Sequence, residues 1–118
     1  MFSKMGKLIT AAVVFAGVSS FAVSAFAASG PALFRSEGCI ACHTINGQGG
    51  SVGPDLSHVG SKRSLSWLKT QITNPSAHFA AGSSVTINGQ SYTAIMPAHK
   101  HMSASKLNAL ANYLESLK

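Results

Sequence analysis

The last segment of the chain carries apolar residues at helical spacing. They fall at offsets of 3, 4, 7 and 10 from the first, and they are Leu107, Leu110, Ala111, Leu114 and Leu117. Residues at these offsets share one face of an α-helix, so the pattern predicts an amphipathic helix with a single apolar stripe. Ser103 stands just before the stripe, where a serine side chain can cap the first turn.

Two shorter helices are predicted upstream. Ser29-Gly30-Pro31 opens the first, because proline is preset for the first helical position, and we expect this helix to end near Gly38. Either Ser64 or Ser66 caps the second. It should stop at Asn74-Pro75, since the residue before a proline disfavours helical backbone.

A small β-hairpin is predicted around Asn88-Gly89, a two-residue turn flanked by Val85, Ile87 and Tyr92. A glycine-rich loop is expected over residues 46–54. Strand content is low, so the predicted fold class is mainly α, with three to four short helices and long loops. Long loops in a compact domain usually enclose something, and we expect a large apolar ligand to form part of the core.

The first 27 residues have the parts of a secretory signal. Two lysines precede an uncharged, mostly apolar run over residues 8–18, and Ala25-Phe26-Ala27 forms a small-x-small cleavage pattern. The predicted organisation is a cleaved signal peptide over 1–27 and one domain over 28–118. An uncleaved membrane anchor is the alternative, because the uncharged stretch runs over 8–30. Either arrangement exports the domain, and a cleaved leader leaves no stable membrane insertion.

Charge narrows the classes of partner. The 118 residues include 9 basic and 3 acidic side chains, for a formal net charge of +6, and two of the lysines belong to the predicted leader. The longest basic cluster is Lys62-Arg63, and aromatic residues do not interleave with basic ones, which argues against nucleic-acid binding. A mildly basic surface suits docking to an acidic protein partner. Two cysteines exclude a disulfide-dense scaffold.

Cys39-Ile40-Ala41-Cys42-His43 has the C-x-x-C-H pattern of a haem c attachment site. Two thiols at this spacing on a helical turn can each form a thioether with one haem vinyl group, and His43 can then supply the proximal nitrogen. Three alternatives stay open: a thioredoxin-like dithiol, which needs a preceding strand; a zinc site completed by His99-x-His101; and a disulfide closing a very short loop. The pattern favours one covalently attached haem c.

With these motifs, the chain after the leader resembles the small monohaem class I cytochromes c over almost its whole length. The resemblance rests on Cys39, Cys42 and His43, on Gly30 and Phe34, on Gly53-Pro54-Asp55-Leu56, on Trp67-Leu68, on Met96-Pro97 and on Tyr113-Leu114. It implies the cytochrome c fold, in which the N- and C-terminal helices cross and loops enclose one haem. It also implies electron transfer as the function.

A haem iron bound by one histidine needs a sixth ligand, and Met96 is the candidate that we favour. It stands in a loop directly before a proline that fixes the local backbone. A thioether sulfur favours ferrous iron and so raises the reduction potential. Ordinary core packing is the other interpretation of Met96, and Met102 is the nearest rival ligand. A second histidine ligand is a further alternative, with His58, His78, His99 and His101 as candidates.

The resemblance implies a supporting shell around these ligands. The Pro54 carbonyl is expected to accept the second ring N–H of His43. Trp67 either donates its indole N–H to a haem propionate or packs in the core, and Tyr92 is expected near the haem. The predicted cofactor-binding residues are Cys39, Cys42, His43, Pro54, Trp67, Tyr92 and Met96, with His43 and Met96 as metal ligands.

Together these inferences predict a periplasmic one-electron carrier that exchanges electrons with redox proteins bearing acidic docking patches. Because His43 and Met96 are expected to fill both axial positions of the iron, we do not predict an enzyme. One alternative is a haem c subunit of a larger respiratory or sulfur-oxidising complex. Another is a gas-binding or peroxidatic haem protein with an open iron site.

Overall fold

Three α-helices and two small antiparallel sheets make up the part of the chain that the structure describes. The structure is a computed structural model that describes residues 28–118, so the predicted signal peptide over 1–27 lies outside the described residues. The elements are α1 (Gly30–Ser36), β1 (Thr44–Ile45), β2 (Gln48–Gly49), α2 (Leu65–Thr73), β3 (Ser84–Ile87), β4 (Gln90–Thr93) and α3 (Ala104–Glu115). Single 3-10 turns occupy Cys39–Ala41, Val59–Ser61 and Pro75–Ala77.

Helices α1 and α3 pack against each other, as the resemblance implies. The Ser29 hydroxyl accepts from the Ala32 backbone N–H at the start of α1, and Ser103 does the same for Lys106 at the start of α3. Gly30 is buried directly against Tyr113, so the two backbones approach closely where a larger residue would hold them apart.

Helix α2 packs on α3 and completes the core. Its N-cap is Ser64, which resolves the choice between Ser64 and Ser66, because the Ser64 hydroxyl accepts from the Trp67 backbone N–H. The helix ends at Thr73, just before Asn74-Pro75, as predicted. The buried apolar core consists of Leu33, Phe34, Ile45, Leu68, Ile72, Leu110, Ala111 and Leu114.

The predicted β-hairpin is confirmed. Strands β3 and β4 pair with Val85 opposite Tyr92, and the turn residues Asn88 and Gly89 have φ of 53° and 79°. Two successive residues with positive φ fit the tight turn that matches the twist of a hairpin. Val85, Ile87 and Tyr92 are half-buried, whereas the residues between them on the strands are exposed.

The glycine-rich loop departs from expectation, because β2 lies within it and pairs with β1, which directly precedes it. Asn46 and Gly47 form its turn with φ of 52° and 80°. The flanking residues lack an alternating apolar pattern, so no strand was predicted there. With these strands and extensive irregular structure, the mainly α class is only loosely confirmed. Within residues 28–118, no helix is both long and apolar enough to cross a membrane.

Candidate cofactor site

A cavity of about 940 Å³ opens between α2, the β3–β4 hairpin and the C-x-x-C-H segment. Its volume lies near the upper end of the range of about 300–1,000 Å³ for ligand pockets. All of the predicted cofactor-binding residues line it: Cys39, Cys42, His43, Pro54, Trp67, Tyr92 and Met96. The fold therefore gathers residues from distant parts of the sequence around one space.

The two cysteines lie on a tight backbone turn at one side of the cavity. Gly38 has φ of 82° and starts the 3-10 turn over Cys39–Ala41, and the His43 backbone N–H donates to the Cys39 carbonyl at 3.0 Å. Cys39 and Cys42 are half-buried free thiols. Burial raises the pKa of the Cys39 thiol, so this thiol is protonated at neutral pH.

His43 is held in one tautomer. Its Nδ1 donates to the Pro54 carbonyl oxygen at 2.8 Å, which leaves Nε2 with a free lone pair. Burial lowers the pKa of His43, and this effect outweighs the opposing effect of the Pro54 carbonyl. The side chain is therefore a neutral imidazole in a fixed orientation, which is the form that binds a metal ion.

Met96 lines the cavity, whereas Met102 packs against the hydrophobic core. The Met96 Sδ lies 3.4 Å from Nε2 of Gln71 on α2. The loop that carries Met96 also contacts α2, because the His99 backbone N–H donates to the Ile72 carbonyl at 3.0 Å. The cavity thus presents one thioether sulfur together with the His43 imidazole.

The other histidines occupy different settings. His58 and His99 also line the cavity, and His58 Nδ1 lies 2.8 Å from the Lys118 carbonyl oxygen. His78 lies outside the cavity lining and stacks on Trp67, and His101 is exposed. The alternative in which one of these four histidines replaces methionine as a ligand stays a prediction.

Trp67 presents a half-buried indole to the cavity. The Arg63 guanidinium carbon lies 4.2 Å from its ring centroid, and the His78 ring stacks on it with the centroids 4.2 Å apart. None of the hydrogen bonds found within residues 28–118 uses the indole N–H. Tyr92 also lines the cavity, while its hydroxyl donates to Gln90 Oε1 at 2.7 Å.

Comparison with known proteins agrees with this geometry. The sequence model of the family "Cytochrome c" matches residues 27–118. The chain belongs to the cytochrome c family. It is also similar to "Cytochrome c oxidase subunit 2" of Alkalihalophilus pseudofirmus (strain ATCC BAA-2126 / JCM 17055 / OF4), with 30% identity over 90 residues. That alignment covers 75% of this chain and 25% of the relative, so the chain spans about a quarter of the relative's length. No solved structure matches the chain.

Members of the cytochrome c family generally bind haem and carry electrons rather than act as enzymes. The residues around the cavity fit a haem. They supply two free thiols, a neutral imidazole with an unused nitrogen and a thioether sulfur, all facing one large space. Soft sulfur and imidazole are both established haem ligands.

Sequence reasoning missed three structural features of this cytochrome c site. Gly53 lies against the His43 ring, since a Cβ built on it would come within 2.5 Å of His43 Cε1. Gln71 contacts Met96, and its position one helical turn after Trp67 was the available signal. Lys62 Nζ donates to the Asn88 side chain across the cavity lining, for which the sequence offered no signal.

Proposed function

We propose that this protein is a one-electron carrier with a single haem c, attached through Cys39 and Cys42 and ligated by His43 and Met96. The observation that carries the proposal is the shared cavity: both thiols, the fixed neutral imidazole and the thioether line it together. Met102, the nearest rival, packs against the core instead.

Attachment needs no oxidant. Each thiol adds across one vinyl C=C bond, so that sulfur bonds to one vinyl carbon and the thiol hydrogen goes to the other. The 3-10 turn over Cys39–Ala41 keeps both sulfurs on one short segment, next to His43. Covalent attachment suits a small domain whose buried core is limited.

The axial residues define a carrier rather than a catalyst. A bound haem c supplies one-electron chemistry through its ferrous and ferric iron. His43 contributes Nε2, because Nδ1 is engaged by the Pro54 carbonyl. Met96 contributes a neutral sulfur that favours the ferrous state. With His43 and Met96 holding the iron of a bound haem, no substrate would reach the metal.

Trp67 and Tyr92 complete the proposed haem surroundings. Trp67 lines the cavity and no hydrogen bond found within residues 28–118 uses its indole N–H, which supports donation to a haem propionate. The Arg63 guanidinium lies over the Trp67 ring, so it places a positive charge at the same side of the cavity. Tyr92 belongs to the inner face of the hairpin and supplies aromatic surface.

We further propose that residues 28–118 work in the periplasm after residues 1–27 are removed as a signal peptide. The partners are redox proteins that donate and accept the electron through acidic patches, because basic side chains outnumber acidic ones on this chain. Raising the salt concentration should then weaken docking. The N-terminal mass of the exported protein decides whether the leader is cleaved.

An absorption spectrum of the exported holoprotein tests the proposal. We expect haem c bands that survive acid–acetone extraction, and a weak sulfur-to-iron band in the ferric form. Met96→Ala should abolish that band, and Met102→Ala should leave it. A colourless protein would refute haem attachment. Tight carbon monoxide binding to the reduced wild-type protein would refute ligation by Met96 and favour an open iron site.

A second candidate function is a haem c electron-transfer unit within a larger respiratory or sulfur-oxidising complex. The similarity to a protein named as a cytochrome c oxidase subunit favours it. Purification at low salt from cells with native expression separates the two candidates. A stoichiometric partner that stays bound through gel filtration would support the subunit, and a monomer would support the carrier.

A further inference from the structure

We propose that His78 is a positioning residue for the Met96 sulfur and that it acts through the side-chain amide of Gln71. The inference rests on the proposed role of Met96 as an axial ligand. It concerns residues that neither the C-x-x-C-H motif nor the Met-Pro pair includes, and it arises from a continuous set of side-chain contacts along one side of α2.

The first contact orients the Gln71 amide. Gln71 Nε2 lies 3.4 Å from Met96 Sδ. A thioether sulfur has lone pairs and no proton, so it can only accept. The NH₂ end of the amide therefore faces Met96, and the Oε1 end faces away from the sulfur.

The second contact holds that orientation. Gln71 Oε1 lies 2.8 Å from His78 Nδ1. An amide oxygen can only accept, so His78 must carry a proton on Nδ1. The terminal torsion of glutamine is broad, and one hydrogen bond to a weak sulfur acceptor does not fix it. His78 supplies the second point of attachment that the amide needs.

His78 is itself held by packing. Its ring stacks on Trp67 at 4.2 Å with an interplanar angle of 2°, and the Phe79 ring lies edge-on at 6.2 Å. Its backbone N–H donates to the Pro75 carbonyl at 3.0 Å, at the end of a 3-10 turn. Trp67 and Gln71 are one turn apart on α2, so the stacked ring is placed beside the amide.

The contacts bear on the metal ligand in two ways. A hydrogen bond to the sulfur withdraws electron density from it, which favours the ferrous state and raises the reduction potential. The bond also limits the freedom of the Met96 side chain, which has three rotatable bonds. Loss of the His78 contact should therefore lower the potential and let an external ligand displace the sulfur more easily.

The test uses the ferric holoprotein and follows the sulfur-to-iron band while imidazole is added. His78→Phe keeps an aromatic ring to stack on Trp67 and removes the donor. We expect imidazole to displace the sulfur at a roughly two- to tenfold lower concentration, which is the scale of one hydrogen bond, together with a lower reduction potential.

Gln71→Leu should have a similar or larger effect. His101→Phe, at an exposed histidine outside the cavity lining, is the matched control and should behave as wild type.

The double variant shows whether His78 acts through Gln71. In the Gln71→Leu background, His78→Phe should add nothing, because the intermediate amide is absent. Additive effects of the two substitutions would overturn the proposal, as would a wild-type titration and potential for His78→Phe.

His78→Gln keeps a donor and should retain most of the wild-type behaviour. This variant also tests the proposal if His78→Phe fails to fold, and a loss in His78→Gln as large as that in Gln71→Leu would overturn the proposal. The band in the wild-type protein, and its loss in Met96→Ala, report separately on the proposed function. Their failure is therefore distinguishable from a failure of the His78 role.

Discussion

Lys62 Nζ donates a hydrogen bond of 2.8 Å to Asn88 Oδ1, and it ties the segment before α2 to the tip of the β3–β4 hairpin. Both residues line the cavity. Among the helices and strands of residues 28–118, β3 and β4 pack mainly against each other, and Val85 and Tyr92 on their half-buried face line the cavity. The bond therefore holds the hairpin at one side of the cavity, where the hairpin forms part of the wall of the proposed cofactor site.

Removing this bond should loosen the hairpin. Asn88→Gly keeps the turn, because glycine adopts positive φ readily, and it deletes the acceptor. We expect amide hydrogen exchange in β3 and β4 to accelerate by roughly two- to fivefold, since Lys62 is exposed and the bond is modest. Asn46→Gly is the matched control, because Asn46 has a similar φ in the other hairpin turn. Equal exchange in wild type and Asn88→Gly would show that the bond holds nothing.

Gly53→Ala should displace the proposed proximal ligand. A Cβ at this position would lie 2.5 Å from Cε1 and 2.9 Å from Nδ1 of His43, so the ring must move away from the Pro54 carbonyl. Overpacking of this kind costs about 1–3 kcal/mol. We expect less haem per polypeptide in the exported protein and a lower midpoint of thermal unfolding.

A residue of the same loop provides the control for this prediction. Ser51 is exposed and lies outside the cavity lining, so Ser51→Ala should leave both the haem content and the unfolding midpoint nearly unchanged. Wild-type haem content and stability in Gly53→Ala would mean that the loop yields and that Gly53 does not fix the His43 ring.

Local patterns were enough to locate most elements of this fold. Serine caps, the Asn-Gly turn and the apolar stripe of α3 act within a few residues, and the structure confirms them at Ser64, Ser103 and Asn88. The β1–β2 pair was missed, because Thr44–Ile45 and Gln48–Gly49 lack apolar alternation. A local hydrogen bond helps to close this hairpin, because the Thr44 hydroxyl donates to the Gly50 carbonyl.

The candidate site also contains some features that local sequence patterns predict and others that they do not. The C-x-x-C-H motif and the family resemblance identified residues that line the cavity, because those residues carry distinctive chemistry at fixed spacing. Gln71 and Lys62 carry common side chains, and each reaches a partner about 25 residues away, Met96 and Asn88 respectively. Such contacts depend on how α2 meets the following loops, and no periodicity in the sequence encodes that arrangement.

Gly30→Ala sets two effects of opposite sign against each other. Gly30 is the first residue of α1, so the helix-propensity gain from alanine stays below the value of about 0.5–1 kcal/mol for a helix interior. A Cβ at this site would however clash with the Tyr113 side chain and crowd the Ala109 carbonyl, and overpacking costs about 1–3 kcal/mol. The clash should prevail, so denaturant unfolding should show a net destabilisation of about 1 kcal/mol.

Ala32→Gly, at an exposed position of α1, isolates the effect of helix propensity. A stabilised Gly30→Ala protein would show that α1 and α3 can separate at little cost.

Asp55 should make stability depend on pH in the acid range. The Ser57 hydroxyl, and the Ser57 backbone N–H at 2.8 Å from Asp55 Oδ1, hold the pKa of this carboxyl below its usual value. A carboxyl whose pKa is lower in the folded state than in the unfolded state stabilises the fold when it is charged. This contribution is fully present above the unfolded-state pKa, which is about 4 for aspartate. It is lost as the pH falls through the folded-state pKa.

Asp55→Asn should therefore reduce the free energy of unfolding by a constant amount at and above pH 6, and the gap from wild type should shrink as the pH drops below about 4. Denaturant unfolding of the holoprotein from pH 2.5 to 7, followed by circular dichroism, measures this gap in unfolding free energy.

Ser57→Ala is the matched background, because it removes the hydroxyl that Asp55 uses and also the acceptor of the Asn46 backbone N–H. In that background the pH-dependent part of the gap should be smaller. A gap that keeps the same size at every pH would mean that the Ser57 contacts do not stabilise the charged carboxylate over the neutral one.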